Sequence, residues 1–561
     1  MPAAHLRLGP LLRHVGPTHA TVWVETSLPC TVAVAGHEQP TFTVAGHHYA
    51  LVTVAGLAPG TSTTYDVRLD GEVVWPLPVS PDQPATAFPP SRIRTLPDPL
   101  ALPDPPGAAL RVAFGSCRYA SPSAASGLEP CALDALARDL AATPEDTWPA
   151  LLLLIGDQVY ADETTPEVRG RIDARRGASA PEHQANDFEE YTWLYEESWS
   201  DPEVRWLLSV VPTGMIFDDH DVHDDWNTSR SWREDMRATP WWPERIVAGL
   251  SSYWVYQHLG NLSPDELDAD PTWRKVRALP PGADAEPLLR GLAVAADQEA
   301  DGGRGYRWSF ARDLGRTKVV VLDSRCGRML DDDPRSMLSP TEFAWARERI
   351  EEPADHVLVA SSLPWLLAPA LHDVEAWSER LAADPRPRRA RLGERLRRAA
   401  DLEHWAAFGS SFELLGEILT GVARGDRGPG TPPATVAVLS GDVHHSYVAR
   451  THGDAPVHQL TCSPLHNRVP APMRLGFRVS WSRTAERGVR AVLGRLARVP
   501  AAGIGWSRTA GPFFGNMVGI VTIEGRTSRL TLLTTHGTGP GGPHLRPVHE
   551  GTLQTGDGPP R

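Results

Sequence analysis

The 561-residue sequence predicts an α/β protein that carries a small all-β module at its front. Three observations lead there. Residues 1–95 hold only short runs rich in β-branched and aromatic residues, separated by turn signals. Beyond residue 107, apolar strand-like runs alternate with stretches of helical periodicity. Between the two lies Pro97–Pro106 (PDPLALPDPP), whose proline density marks residues 96–107 as a stiff linker.

In the front module the predicted strands are Thr21–Glu25, Thr31–Ala35, Tyr49–Val54 and Thr64–Leu69, with turns at Ala58-Pro59-Gly60 and Asp70-Gly71. That spacing suits a β-sandwich. In residues 108–540 six runs read as strands: Arg111–Phe114, Leu151–Ile155, Gly214–Phe217, Lys318–Leu322, His356–Ala360 and Thr435–Leu439. Each is followed at once by small or polar residues, so one sheet edge would gather all six sets, where open α/β proteins place their ligand sites. Helices are expected over Thr341–Ile350, Ala390–Phe408 and Thr484–Arg498. The last suits a membrane surface in composition, but a partner or core contact is the expectation. Arg388–Arg398 reads as a solvated helix face, Trp226–Trp254 as packing, Gly428–Pro433 as a loop and 541–561 as a flexible tail.

Composition excludes several classes. A hydrophobic share of 41% with 22% charged residues is that of a soluble globular chain rather than a disordered or fibrous one. No apolar run approaches the roughly 20 residues that span a bilayer. Fifty-five basic against 69 acidic residues, a net charge of −14, argues against generic nucleic-acid binding. Five scattered cysteines without a CxxC pair suggest neither a zinc ribbon nor a disulfide framework. The first residues, MPAAHLRLGP, show no secretory or twin-arginine signal, so a cytoplasmic location is expected for the chain as written, with export open if the natural start lies upstream.

The strand ends supply Asp157, Asp162, Asp219, Asp221, Asp224, Asp225 and Asp442, with Cys117, Tyr160, His220, His223, His444 and His445 among them. So many carboxylates on one edge repel each other unless cations neutralise them. Oxygen donors beside imidazole, phenolate and thiolate suit a trivalent or borderline metal next to a harder divalent one. Such a two-metal site typically performs in-line displacement at phosphorus.

The ordered set GSC at 115–117, GDQVY at 156–160, DDHDV at 218–222, LDSR at 322–325, SSLPW at 361–365 and SGDVHHS at 440–446 resembles the PhoD-like alkaline phosphatases, within the calcineurin-like metallophosphoesterases. The resemblance implies a metallophosphatase sandwich of mixed β-sheets flanked by helices over 108–540, behind a fibronectin- or Ig-like module. It implies Asp157 as the bridging carboxylate, and Cys117, Tyr160 and His444 as ligands of a ferric-like first metal. Asp219 and Asp442 would serve the second, implied to be calcium, other divalent ions being alternatives. His220 would stand beside the leaving group, and Arg325 and Arg118 would clamp the phosphate. His444 and His445 are neighbours that point to opposite faces, so only one should meet the metals. No counterpart to the superfamily's middle histidine stands near Ser361–Trp365, and the family's usual Tat signal is missing. The expected activity is hydrolysis of small-molecule phosphomonoesters by a metal-bound hydroxide. A phosphodiesterase or phospholipase D-type hydrolase of the same fold is one alternative, a non-catalytic phosphate- or polymer-binding module another.

Overall fold

The computed structural model describes residues 3–76, 88–98, 109–125, 127–303, 305–331, 335–427, 430–497, 499–537 and 542–554. Most of the expected linker therefore lies outside the described residues, as do parts of the Gly428–Pro433 loop and residues 555–561.

The front module is two four-stranded sheets. One runs in the order Leu6–Val15, His19–Thr26, His47–Ala55, Phe42–Val44, the other His37–Pro40, Thr31–Val34, Val67–Leu69, Glu72–Trp75. Val22, Val24, Val52 and Val54 of the first and Val32, Val34 and Val67 of the second share one buried core. The expected strand Thr64–Leu69 is split between a short ribbon strand, Ser62–Thr64, and Val67–Leu69. Leu6–Val15 was not legible because Gly9-Pro10 reads as a breaker; the pairing with His19–Thr26 slips there, as a bulge allows. The module is docked on the rest of the chain. Arg13 is fully buried and donates to Tyr256 O at 3.2 Å and Asn261 Oδ1 at 3.1 Å, and the Tyr49 and Tyr256 hydroxyls meet at 3.0 Å.

All six expected strands of the larger domain form: β1 (Leu110–Gly115), β2 (Leu151–Ile155), β3 (Thr213–Ile216), β4 (Thr317–Leu322), β5 (His356–Ser361) and β6 (Thr435–Ser440). They do not share one sheet edge. The parallel trio β3-β2-β1 continues through the antiparallel strands Met517–Glu524, Thr527–His536 and His544–Thr552. The trio β4-β5-β6 sits in a seven-stranded sheet, with Phe310–Leu314 on one side and His458–Thr461, Ser446–Thr451 and Trp506–Phe513 on the other. Mixed sheets with flanking helices are therefore the architecture. Val112, Phe114, Leu152 and Leu154 share a core with Val319, Val321, Leu358 and Leu439 of the facing sheet. The alternate residues Val320, Leu322, Val357, Val359, Val436 and Val438 pack instead against Phe343, Phe412 and Leu415 of the outer helices. Burial on both faces explains the unbroken apolar runs.

Three further expectations are corrected or refined. Residues 544–552, read as part of a flexible tail, form an edge strand paired with Arg529–His536. The helix expected over Ala390–Phe408 ends at Ala399, and a turn precedes a short 3-10 segment at Trp405–Ala407. Arg397 within the basic face is buried against Glu394. Among the described residues no helix is long and apolar enough to cross a membrane.

Candidate metal centre

The carboxyl ends of the two parallel trios face each other, so the residues after β1, β2 and β3 meet those after β4 and β6. Each chain turns abruptly on leaving its strand. Cys117, Asp157, Asp442 and His444 have φ of 58°, 51°, 62° and 49°, a left-handed region that non-glycine residues seldom occupy. Two glycines allow the close approach. A Cβ on Gly156, at φ 96°, would stand 2.7 Å from the Asp218 Cβ, and one on Gly441 would run into the Ser116 hydroxyl. Backbone bonds fix the tips: Cys117 N–H donates to Gly156 O and Arg118 N–H to Asp157 O, while Asp442 N–H donates to Ser116 Oγ at 3.0 Å.

This framework brings Cys117, Asp157, Tyr160, Asp219 and Asp442 together. Cys117 Sγ lies 3.3 Å from Asp157 Oδ2 and 3.6 Å from Asp442 O, and Tyr160 OH lies 3.4 Å from Asp157 Oδ2. Oxygens of Asp157, Asp218, Asp219 and Asp442 all fall within 4.8 Å of one another. Three of them, Asp157 Oδ1, Asp218 Oδ2 and Asp219 Oδ1, are buried without a hydrogen-bond partner. Buried carboxylate oxygens left unsatisfied and this close are costly unless a cation takes them up, so the donor set fits metal ions. Asp221, by contrast, is fully used: its oxygens accept from Asp157 N–H, Asp218 N–H and Gln257 Nε2.

Electrostatics agree with a site built for positive charge. Burial first, then Asp218 and Asp219, push the Asp157 carboxyl well above the usual range. Burial and the neighbouring Asp157 hold the Cys117 thiol and the Tyr160 phenol protonated to unusually high pH. A bound cation would reverse these shifts and release the protons.

The histidines divide by partner. Burial alone would lower the His220 imidazole, but Asp162, 2.9 Å from Nδ1, and the acidic cluster raise it well above the ordinary value. The His220 ring stacks on Tyr160 with centroids 4.5 Å apart. His445 is buried, its Nδ1 2.7 Å from Val443 O and its ring stacked on Phe477. His444 is half-buried and close enough to Asp442, His220 and Asp219 to feel their charge.

Two arginine expectations are corrected. Arg118 is fully buried and bonds Ser198 and Asp201, the latter at 2.7 Å, so it is spent on the neighbouring helices. Arg325 does reach the cluster, but from beneath. It is fully buried, pairs with Asp218, and lies 3.3 Å from Asp219 Oδ1 and 2.6 Å from Glu403 Oε2, which leaves no exposed edge for a phosphate.

Two residues at the site were missed. Asp218 stands beside Asp219 in the same DDHD run. His404 comes from the turn after the helix Pro387–Ala399; its Nε2 lies 3.2 Å from Asp442 Oδ2 and its Nδ1 2.7 Å from buried Glu375. The DLEH run at 401–404 has no strand before it and so carried no signal.

Fold and site together define a two-sheet α/β protein with an acidic metal-type centre at facing strand tips. The comparisons sharpen this. Residues 136–283 match the family described as PhoD-like phosphatase, and residues 3–93 match a domain of unknown function. A solved structure titled "Structure of PhoD" superposes with a TM-score of 0.56 at 13% identity, covering 99% of this chain and 91% of that one. No curated protein matches. The chain is thus a PhoD-like protein in fold, and its family match supports a phosphatase-type hydrolase.

Proposed function

We propose that the chain is a metal-dependent phosphoric ester hydrolase that cleaves small phosphomonoesters by direct attack of water. The observation that carries this reading is the convergence of three buried carboxylate oxygens that accept no hydrogen bond, from Asp157, Asp218 and Asp219, beside Asp442. Asp157 would bridge two cations, with Cys117, Tyr160 and His444 completing one set and Asp218, Asp219, Asp442 and His404 available to the other. Thiolate and phenolate favour iron in the first set, and the carboxylates favour calcium or another hard divalent ion in the second. When bound, the cations would supply Lewis acidity that lowers the pKa of water and offsets charge on the phosphoryl oxygens.

The chain's own residues do the rest. Asp162 fixes the His220 ring through Nδ1 and leaves Nε2 to protonate the departing alkoxide. Glu375 orients His404 in the manner of a carboxylate behind a liganding imidazole. Arg325 acts as a buried counter-charge for Asp218 and Asp219, setting the acidity of the cluster rather than clamping substrate.

The test is elemental analysis of the native protein before any chelator, with turnover of para-nitrophenyl phosphate and its bis-ester measured in parallel. Two metal equivalents with preference for the monoester support the reading. Preference for the bis-ester moves the assignment to a phosphodiesterase, and metal without turnover to a binding module. An Asp157→Asn protein with full metal content and undiminished rate would overturn the centre itself.

A further inference from the structure

The helices Ala471–Ser480 and Arg483–Leu496 form a pair joined by Trp481 and Ser482. Their inner anchors are aromatic. Phe477 stacks on His445 with centroids 4.3 Å apart, and Trp481 packs on Tyr447 at 4.8 Å. That attaches the pair beside the SGDVHHS turn of the metal centre.

The outer face reverses the usual pattern of a surface helix. At 100° per residue, Pro472, Leu475, Gly476 and Val479 fall on one stripe, and all four are exposed. Leu475 is 64% exposed, Val479 52%, Met473 47% and, on the second helix, Val492 52%. These are four of the seven large hydrophobic residues exposed among the described residues, gathered on two helices.

Charge is equally concentrated. Residues 468–508 contain arginines 468, 474, 478, 483, 487, 490, 495, 498 and 508 against the single acid Glu486, in a chain whose net charge is −14. Arg483, Arg487 and Arg495 are exposed and have no carboxylate partner among the described residues. Guanidinium groups flanking an outward aliphatic stripe are the composition of a helix that lies in a membrane interface.

We propose that this helix pair docks the protein on an anionic lipid surface. The charge is complementary to acidic headgroups, and the outward residues are aliphatic rather than the aromatic anchors that dominate protein–protein hot spots. The Leu475–Val479 stripe enters the acyl boundary while Arg483, Arg487 and Arg495 meet the headgroups. Because Phe477 ties the same helix to His445, docking holds the mouth of the metal centre at the lipid–water boundary. The inference does not rest on the hydrolase reading, since its readout is binding.

The experiment is co-sedimentation of the full chain with vesicles of phosphatidylglycerol and phosphatidylcholine, against vesicles of phosphatidylcholine alone. Binding is expected only to the anionic vesicles and falls as salt is raised. Arg483→Gln with Arg487→Gln should weaken it by more than tenfold, at roughly fivefold per arginine. Leu475→Ser with Val479→Ser should weaken it to a similar degree, while turnover of a soluble ester and the melting temperature stay as in the native protein. Failure to bind anionic vesicles, equal binding to neutral ones, or variants that bind like the native chain would each overturn the proposal. So would a native dimer that the Leu475→Ser, Val479→Ser protein loses, since a second copy would then cover the stripe.

Discussion

Among the described residues, two crowded groups of carboxylates are neutralised differently. At the strand tips Asp157, Asp218, Asp219 and Asp442 converge with one guanidinium, that of Arg325, and three buried oxygens accept no hydrogen bond. At the start of the helix Pro202–Val210, Asp134, Asp201 and Glu203 converge just as closely, but Arg118 reaches Asp201 and stands 3.9 Å from Asp134, while Arg138 pairs with Glu203. Three acids with two arginines are close to balanced; four acids with one are not. Crowding of acids alone does not mark a metal site. The informative feature is the charge that the protein leaves uncompensated.

Four measurements test this contrast, the largest expected effect first. Asp157→Asn should abolish metal content and cut turnover of para-nitrophenyl phosphate by roughly 10³-fold or more, read by elemental analysis and initial rates. Arg118→Ala should leave metal content unchanged and cost about 3–5 kcal/mol of stability by stranding Asp201, read by denaturant unfolding. A loss of turnover without a loss of stability would return Arg118 to the catalytic site. His404→Ala should weaken metal retention by roughly 10–100-fold, read as loss of metal on dialysis against a graded chelator.

The smallest effect is a pH dependence confined to the second cluster. Burial first, then Asp201, raise the Asp134 carboxyl from about 3.8 to about 7. Below the lower value both folded and unfolded chains hold this proton. Between them the unfolded chain ionises while the folded one does not, so stability falls as pH rises and the loss is complete above about 7. Asp134→Asn removes that slope. Its unfolding free energy, read by denaturant titration, should decline less from pH 4 to pH 8 than the native protein's, with or without metal.

Much of the site was legible because its residues directly follow apolar runs. Cys117, Asp157, Asp219 and Asp442 each stand within three residues of a strand end, and their order along the chain resembles that of one known family. The sheet assignment was not legible, since β1–β3 and β4–β6 have the same texture and only long-range pairing separates them. His404 was hidden for a related reason. It reaches Asp442 through tertiary packing, steadied by Glu375 from another helix, and neither partner is near it in sequence. Arg118 was expected at the site only through the resemblance, and its buried pairing with Asp201, distant in sequence, was not legible.

The left-handed backbone at Cys117, Asp157, Asp442 and His444 sets a limit on improving this protein. Glycine at any of the four would relax a conformation that costs an L-residue about 1–2 kcal/mol, yet it would delete a donor atom at the same stroke. On the proposed function, selection for heat resistance alone would therefore drift toward a sturdier but inert molecule, and durability has to be sought elsewhere in the chain.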